Sequence, residues 1–134
     1  MSSIFTKIIN RELPANIVYE DDNVIAFLDI NPVNPGHTLV VPKNEKSNIL
    51  ESLEEDVINI LKVVRILAPA ILKTVGADGF NLITNVGEGS GQTVFHTHFH
   101  IIPRFNNDGH KQWTVMEVTS DELNKIEKDI KSNI

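Results

Sequence analysis

The stretch Val94-Phe95-His96-Thr97-His98-Phe99-His100-Ile101-Ile102-Pro103 sets three histidines at alternate positions. Successive side chains of a β-strand face opposite sides of a sheet, so a strand over Val94–Pro103 turns His96, His98 and His100 one way and Thr97, Phe99 and Ile101 the other. Neighbouring imidazoles then stand about 6–7 Å apart at Cα, close enough to share a ligand or relay a proton. Phe99 and Ile101 anchor the opposite face in a core, which gives the row rigid support.

Working outward, Phe80–Val86 alternates apolar and polar residues and reads as a second strand, joined to the first through Gly87-Glu88-Gly89-Ser90-Gly91-Gln92-Thr93. Ile17–Tyr19 and Val24–Leu28 flank the polar cluster Glu20-Asp21-Asp22-Asn23 and predict a hairpin. A further strand, His37–Pro42, follows an ordered loop that holds Pro32, Pro35 and Gly36. Apolar residues at helical spacing predict a short helix from Ile4 towards Leu13, ended by Pro14. Ser52 and Glu55 have capping-box spacing, and Glu54, Glu55 and Asp56 suit the positive end of a helix dipole. A long helix is expected from there to a Gly76 cap, with Pro69 kinking it near Arg65–Ala68 or splitting it in two. Thr119 and Glu122 open a terminal helix over about 119–132, with Leu123, Ile126 and Ile130 on one face. Hairpins and a few helices without regular βαβ alternation predict an α+β fold. The sheet is expected to be mainly antiparallel, with about five strands, in one domain spanning 1–134.

The charge excludes some functions. Twelve Lys and Arg against 18 Asp and Glu leave a net charge of −6 over 134 residues, so the chain lacks the basic stripe of a nucleic-acid binder. A single nucleotide remains compatible with that balance. The absence of cysteine excludes disulfides, thiol catalysis and cysteine-based zinc sites. Val63–Leu72 is interrupted by Arg65 and falls well short of the ~20 residues of a membrane span. Met1–Asn10 lacks a basic start followed by an apolar run, so no membrane association and a cytoplasmic location are expected.

Three imidazoles on one face need many hydrogen-bond partners if they serve packing alone, which favours a functional row. Transition-metal binding is the first alternative, since imidazole is a common ligand. The glycine-rich segment beside the row favours phosphate, because backbone N–H groups with few Cβ atoms around them can approach an anion. A neutral imidazole facing phosphorus is a competent nucleophile and would give a phosphohistidine-type intermediate that water cleaves. Clustered basic groups oppose one another's protonation, so the nucleophile is expected to be neutral at pH 7.

These residues follow the pattern His-φ-His-φ-His-φ-φ. Together with Ile4-Phe5, Glu20-Asp21-Asp22, Ala26-Phe27-Leu28-Asp29-Ile30, Pro35-Gly36-His37-Thr38-Leu39-Val40-Val41-Pro42-Lys43 and Gly91-Gln92-Thr93-Val94-Phe95-His96, the chain up to about Arg104 resembles the histidine triad (HIT) family of nucleotide hydrolases and transferases. The resemblance implies an α+β homodimer with one purine-nucleotide site per subunit and no cofactor. His98 would be the nucleophile at the α-phosphorus, flanked by His96 and His100, with His37 as the fourth histidine. Asp29 would take the ribose hydroxyls, and Asn85, Gly91, Gln92 and Thr93 the phosphate. Ile4, Phe5, Ile8, Leu13, Phe27 and Ile30 would lie on or near the base pocket.

The reaction implied is cleavage of a phosphoramidate or related bond at an AMP-type centre. The alternatives are a dinucleoside polyphosphate hydrolase, which Gln92-Thr93 and Ile102-Pro103-Arg104 resemble, and a dimeric nucleotide-binding module without catalysis. Some bacterial relatives carry a structural zinc on two cysteines and a histidine; those positions here are Ser3, Thr6 and Glu45, so no metal is expected. After Arg104 the chain departs from the short tryptophan-ending tail of the phosphoramidase branch, and Trp113 has no counterpart there.

Overall fold

The computed structural model describes residues 2–134. In chain order it contains α1 (Ile4–Ile9), β1 (Ile17–Glu20), β2 (Val24–Leu28), β3 (Thr38–Pro42), α2 (Glu54–Val75), β4 (Gly79–Ile83), a single 3-10 turn (Glu88–Ser90), β5 (Phe99–Arg104) and α3 (Ser120–Ser132). The five strands form one antiparallel sheet in the order β1-β2-β3-β5-β4. Among the described residues no helix is long and apolar enough to cross a membrane.

Alternation sorts the sheet into two faces. Val24, Ala26, Val40, Phe99 and Ile101 point to α2 and pack against its Ile60, Val63, Val64 and Leu67. Ile25, Phe27, Leu39 and Val41 point the other way, to Phe5 and Ile8 of α1. His100 pairs with Leu39 across β3 and with Ile83 across β4, which puts it on the α1 face.

The expected hairpin forms, with Asp21 Oδ1 accepting the N–H groups of Asn23 and Val24 at 2.8 Å. Gly36, at φ +88°, leads into β3; a Cβ there would be strained by that conformation and would crowd Val75 at 3.1 Å and Ile71 and Pro103 at 3.2 Å.

Five expectations about local structure change, the first being that the strand read over Phe80–Val86 spans Gly79–Ile83. The histidine strand starts at Phe99, not Val94, because the preceding backbone leaves the ladder: Thr97 N–H donates to the Lys46 carbonyl at 2.8 Å, and the His98 carbonyl accepts the Thr84 hydroxyl at 2.8 Å. The Ser52 capping box does not form. Its hydroxyl turns to the Asn48 carbonyl (2.9 Å) and the Thr97 hydroxyl (2.6 Å), and Leu53 takes the N-cap position with no side-chain bond. α2 is one continuous helix of 22 residues through Pro69, so the split into two pieces does not occur. The carbonyl that Pro69 cannot serve belongs to Arg65, which lies on the exposed side where water can reach it. α1 ends at Ile9, before Pro14 acts, where Asn10 caps it and Arg11 adopts φ 62°.

Candidate active site

The α1 face of the sheet is only partly covered, and the gap is a cavity of about 560 Å³. Its apolar end is built by Ile4, Phe5 and Ile8 of α1, Leu13 of the following turn, Phe27 of β2 and Ile30 of the next loop. Its polar end holds Asp29, Thr93, His98 and His100. Phe5 links the two: it is buried, meets Phe27 edge-on at 5.5 Å and sets its ring T-shaped against His98 at 4.9 Å.

The partners of each histidine fix its tautomer. His98 Nδ1 lies 2.6 Å from the His96 carbonyl, which can only accept, so Nδ1 carries the proton and Nε2 holds a free lone pair. His96 is fully buried; its Nε2–H donates to the Pro42 carbonyl at 2.8 Å, and its Nδ1 accepts the Ser3 hydroxyl at 2.6 Å. His37 Nδ1 accepts the Val33 N–H at 3.0 Å, so Nε2–H donates to His100 Nδ1 at 2.9 Å. His100 therefore carries its proton on Nε2. The rings of His98 and His100 stand 5.0 Å apart.

Burial pushes the pKa values of His37, His96 and His98 below the ordinary histidine range. His100 is pushed down to about 4 by burial and by the neighbouring His98 and His37. The cluster is thus neutral at pH 7, and neutrality is what leaves His98 Nε2 nucleophilic.

Asp29 sits at the cavity mouth. Its Oδ1 accepts the Asn31 N–H at 2.8 Å, while Oδ2 lies 3.6 Å from His37 Nε2 and can take further donors. Asp29, His37 and His100 bring three potential ligand atoms within 4.8 Å of one another. The donor set fits a shared proton better than a cation: the Val33 N–H keeps His37 Nδ1 unprotonated, so His37 Nε2 holds hydrogen rather than a lone pair for a metal.

The glycine-rich loop divides its residues between structure and site. Thr93 reaches the cavity, and the Asn85 amide lies 3.9 Å from where a Cβ on Gly91 would stand. Gln92, expected at the phosphate, is buried instead. Its Oε1 accepts the Gly87 N–H at 2.9 Å, and its Nε2 donates to the carbonyls of Ser47 (2.6 Å) and Val94 (3.0 Å), so its amide shapes the loop. Arg104 is likewise engaged, held by Asp108 through two bonds of 2.8 and 3.0 Å.

Ser3, Thr6 and Glu45, read in the sequence only as positions lacking zinc ligands, converge beside His96. Glu45 Oε1 accepts the Ser3 N–H at 2.9 Å and the Thr6 hydroxyl, and these two bonds hold its carboxylate below the usual range. Two hydroxyls already committed to hydrogen bonds and one carboxylate are a poor donor set for zinc, and the group is knit by protons instead. Nothing periodic announces this cluster, since Ser3 and His96 are 93 residues apart.

The HIT domain family model matches residues 10–107. An uncharacterised HIT-like protein of Methanocaldococcus jannaschii is 48% identical over 96% of this chain and 98% of its own length. An adenylylsulfatase of Arabidopsis thaliana is 42% identical over 78% of this chain and 53% of its own. Among solved structures, a Streptococcus mutans protein superposes with a TM-score of 0.91 at 39% identity, covering 97% of this chain and 83% of that one. A hypothetical histidine triad nucleotide-binding protein from Sulfolobus tokodaii does so at 0.75 and 40%, covering 96% and 89%.

Proposed function

The chain belongs to the HIT family, and from that premise we propose that it is a nucleotidyl hydrolase acting at the α-phosphate of a purine nucleoside monophosphate through a covalent intermediate on His98. The observation that carries this reading is the hydrogen bond from His98 Nδ1 to the His96 carbonyl. It orients the ring and leaves Nε2 unprotonated towards the cavity.

In this reading the base enters the apolar end against Phe5, Ile8 and Phe27, and the ribose hydroxyls donate to Asp29. Both choices follow from chemistry: a flat heterocycle gains from the apolar walls, and a carboxylate accepts two O–H donors. The phosphate then lies by His98, with Thr93, Asn85 and the backbone of Gly91 as neutral donors. His98 Nε2 attacks phosphorus, the bond from phosphorus to the leaving group breaks, and that group departs with its electron pair and takes up a proton. Water then attacks the phosphorus of the nucleotidyl-histidine and gives up a proton to solvent, which replaces the one drawn from solvent by the leaving group; the P–N bond to His98 breaks, releasing the nucleoside monophosphate and restoring the imidazole. The Nε2–H of His100 is a donor for the phosphoryl oxygens in both steps.

The leaving group is read as an amine, so the substrate is a phosphoramidate. A second reading is an anhydride of AMP: adenylyl sulfate, favoured by the relative named an adenylylsulfatase, or a dinucleoside polyphosphate, the alternative that Gln92-Thr93 and Ile102-Pro103-Arg104 resemble. The same residues serve each of these. The proposed unit is a cytoplasmic homodimer. In its support, β4 ends the sheet, and its Phe80 and Leu82 are exposed beside α2.

The test is turnover of adenosine 5′-phosphoramidate, adenylyl sulfate and diadenosine polyphosphates in EDTA by wild type and His98→Ala. Turnover lost in the variant is expected. Failure to turn over any of them while AMP still binds would contradict a catalytic role and leave a nucleotide-binding module.

A further inference from the structure

The chain between β3 and α2 has no regular structure, yet three consecutive residues bond both to the start of α1 and to the segment that precedes β5. Glu45 Oε1 accepts the Ser3 N–H and the Thr6 hydroxyl at the start of α1. Next along, the Lys46 carbonyl accepts the Thr97 N–H at 2.8 Å, and the Ser47 carbonyl accepts Gln92 Nε2 at 2.6 Å. Segment 45–47 therefore ties α1, which walls the apolar end, to residues 92–97, which lead into the histidines.

α1 depends on that tie. It has six residues, far fewer than a helix needs to persist alone, and buries only Phe5 and Ile8. Its N-cap is the Ser3 hydroxyl, which accepts the Thr6 N–H at 3.0 Å while donating to His96. Removing the Glu45 side chain leaves the Ser3 N–H and the Thr6 hydroxyl without their acceptor and frees the helix start to move. Both bonds end on the same oxygen, and His96, 3.9 Å from it, is neutral by its own partners. An acceptor at that place is what matters, not its charge.

We propose that Glu45 is a positioning residue for the base-binding end of the cavity: through Ser3 and Thr6 it sets where α1 holds Ile4, Phe5 and Ile8. The inference rests on reading the cavity as a nucleotide site. Glu45 itself lies outside the cavity lining and acts only through α1.

The experiment is calorimetric titration with AMP and with ribose 5-phosphate, which differ only in the base, on wild type, Glu45→Ala, Glu45→Gln and Thr6→Val. Glu45→Ala is expected to lose about tenfold in AMP affinity with ribose 5-phosphate unchanged, as befits loss of two hydrogen bonds. Glu45→Gln keeps an acceptor and is expected to retain the wild-type preference for AMP. Thr6→Val removes one of the two bonds and keeps the residue's shape, so a smaller loss, about threefold, is expected even if Glu45→Ala proves poorly folded. An undiminished AMP preference in Glu45→Ala and Thr6→Val, or equal losses for both ligands, would overturn the proposal; so would a Glu45→Gln variant as impaired as Glu45→Ala. A wild type that binds ribose 5-phosphate as well as AMP would instead overturn the nucleotide reading, and the inference with it.

Discussion

The two faces of the sheet are covered unequally. On one, α2 lays 22 residues across Val24, Ala26, Val40, Phe99 and Ile101 and buries Ile60, Val63, Val64 and Leu67 against them. On the other, α1 lays six residues, buries two of them and leaves a cavity whose floor holds His98 and His100. The same strands supply both: in β3 Val40 looks to α2 and Leu39 to α1, and in β5 Ile101 and His100 divide likewise. Alternation thus lets one face concentrate packing while its reverse, held rigid by that packing, carries buried imidazoles that no well-filled core would accept.

This separation of stability from chemistry can be broken by substitutions on either face. His98→Ala is expected to lower turnover by about a thousandfold or more, since a covalent route loses its nucleophile, while thermal melting stays near the wild-type value. Ile60→Ala, on the α2 face, is expected to reverse the pattern. The fully buried isoleucine should cost about 3 kcal/mol in a denaturant titration, with KM unchanged at a temperature where the variant is folded. A large KM change in Ile60→Ala would show that the faces are not independent.

Acid tests the histidine face in both respects. His37, His96, His98 and His100 all titrate below their ordinary value in the folded chain, so the unfolded chain binds more protons once the pH drops under about 6.5. Their contribution to stability is complete above that pH. It is lost progressively on the way down to about 4, where His100 itself titrates. Unfolding titrations from pH 7.5 to 4 should show this decline, and replacing His100 by Asn should flatten it. Turnover should be level above neutrality and fall in acid as His98 Nε2 is protonated.

The smallest effect is expected away from both faces. α3 buries no residue, and Ile126 is 49% exposed. Ile126→Ser should change stability by under about 0.5 kcal/mol. A larger loss would mean that the terminal helix is packed against something beyond this chain.

Much of this layout is legible in the sequence because it rests on short-range periodicity. The hairpin, the five strands and the buried stripe of α2 each repeat over a few residues. The departures come where hydrogen bonds to distant segments take groups that local structure would use. Val94–His98 has strand alternation, but its peptide groups are taken by Lys46, Thr84 and the His98 ring; Ser52 has capping spacing, but its hydroxyl finds Thr97. At the site, His98, His100, Asp29 and the six apolar positions from Ile4 to Ile30 line one cavity, while His37 bonds to His100 from behind and His96 is fully buried. Gln92 matches that pattern by type, yet its amide is spent inside the loop. Glu45 carries no local signal at all, because its partners lie 39 and 42 residues away.

The most direct test of the account is to quench wild-type protein during turnover of adenosine 5′-phosphoramidate and map the modified peptide by mass spectrometry. An adenylyl group on His98, absent when the quench precedes substrate, is the expected result. Turnover with no adduct, or an adduct on His37, His96 or His100 instead, would contradict the claim that the His96 carbonyl prepares His98 as the nucleophile.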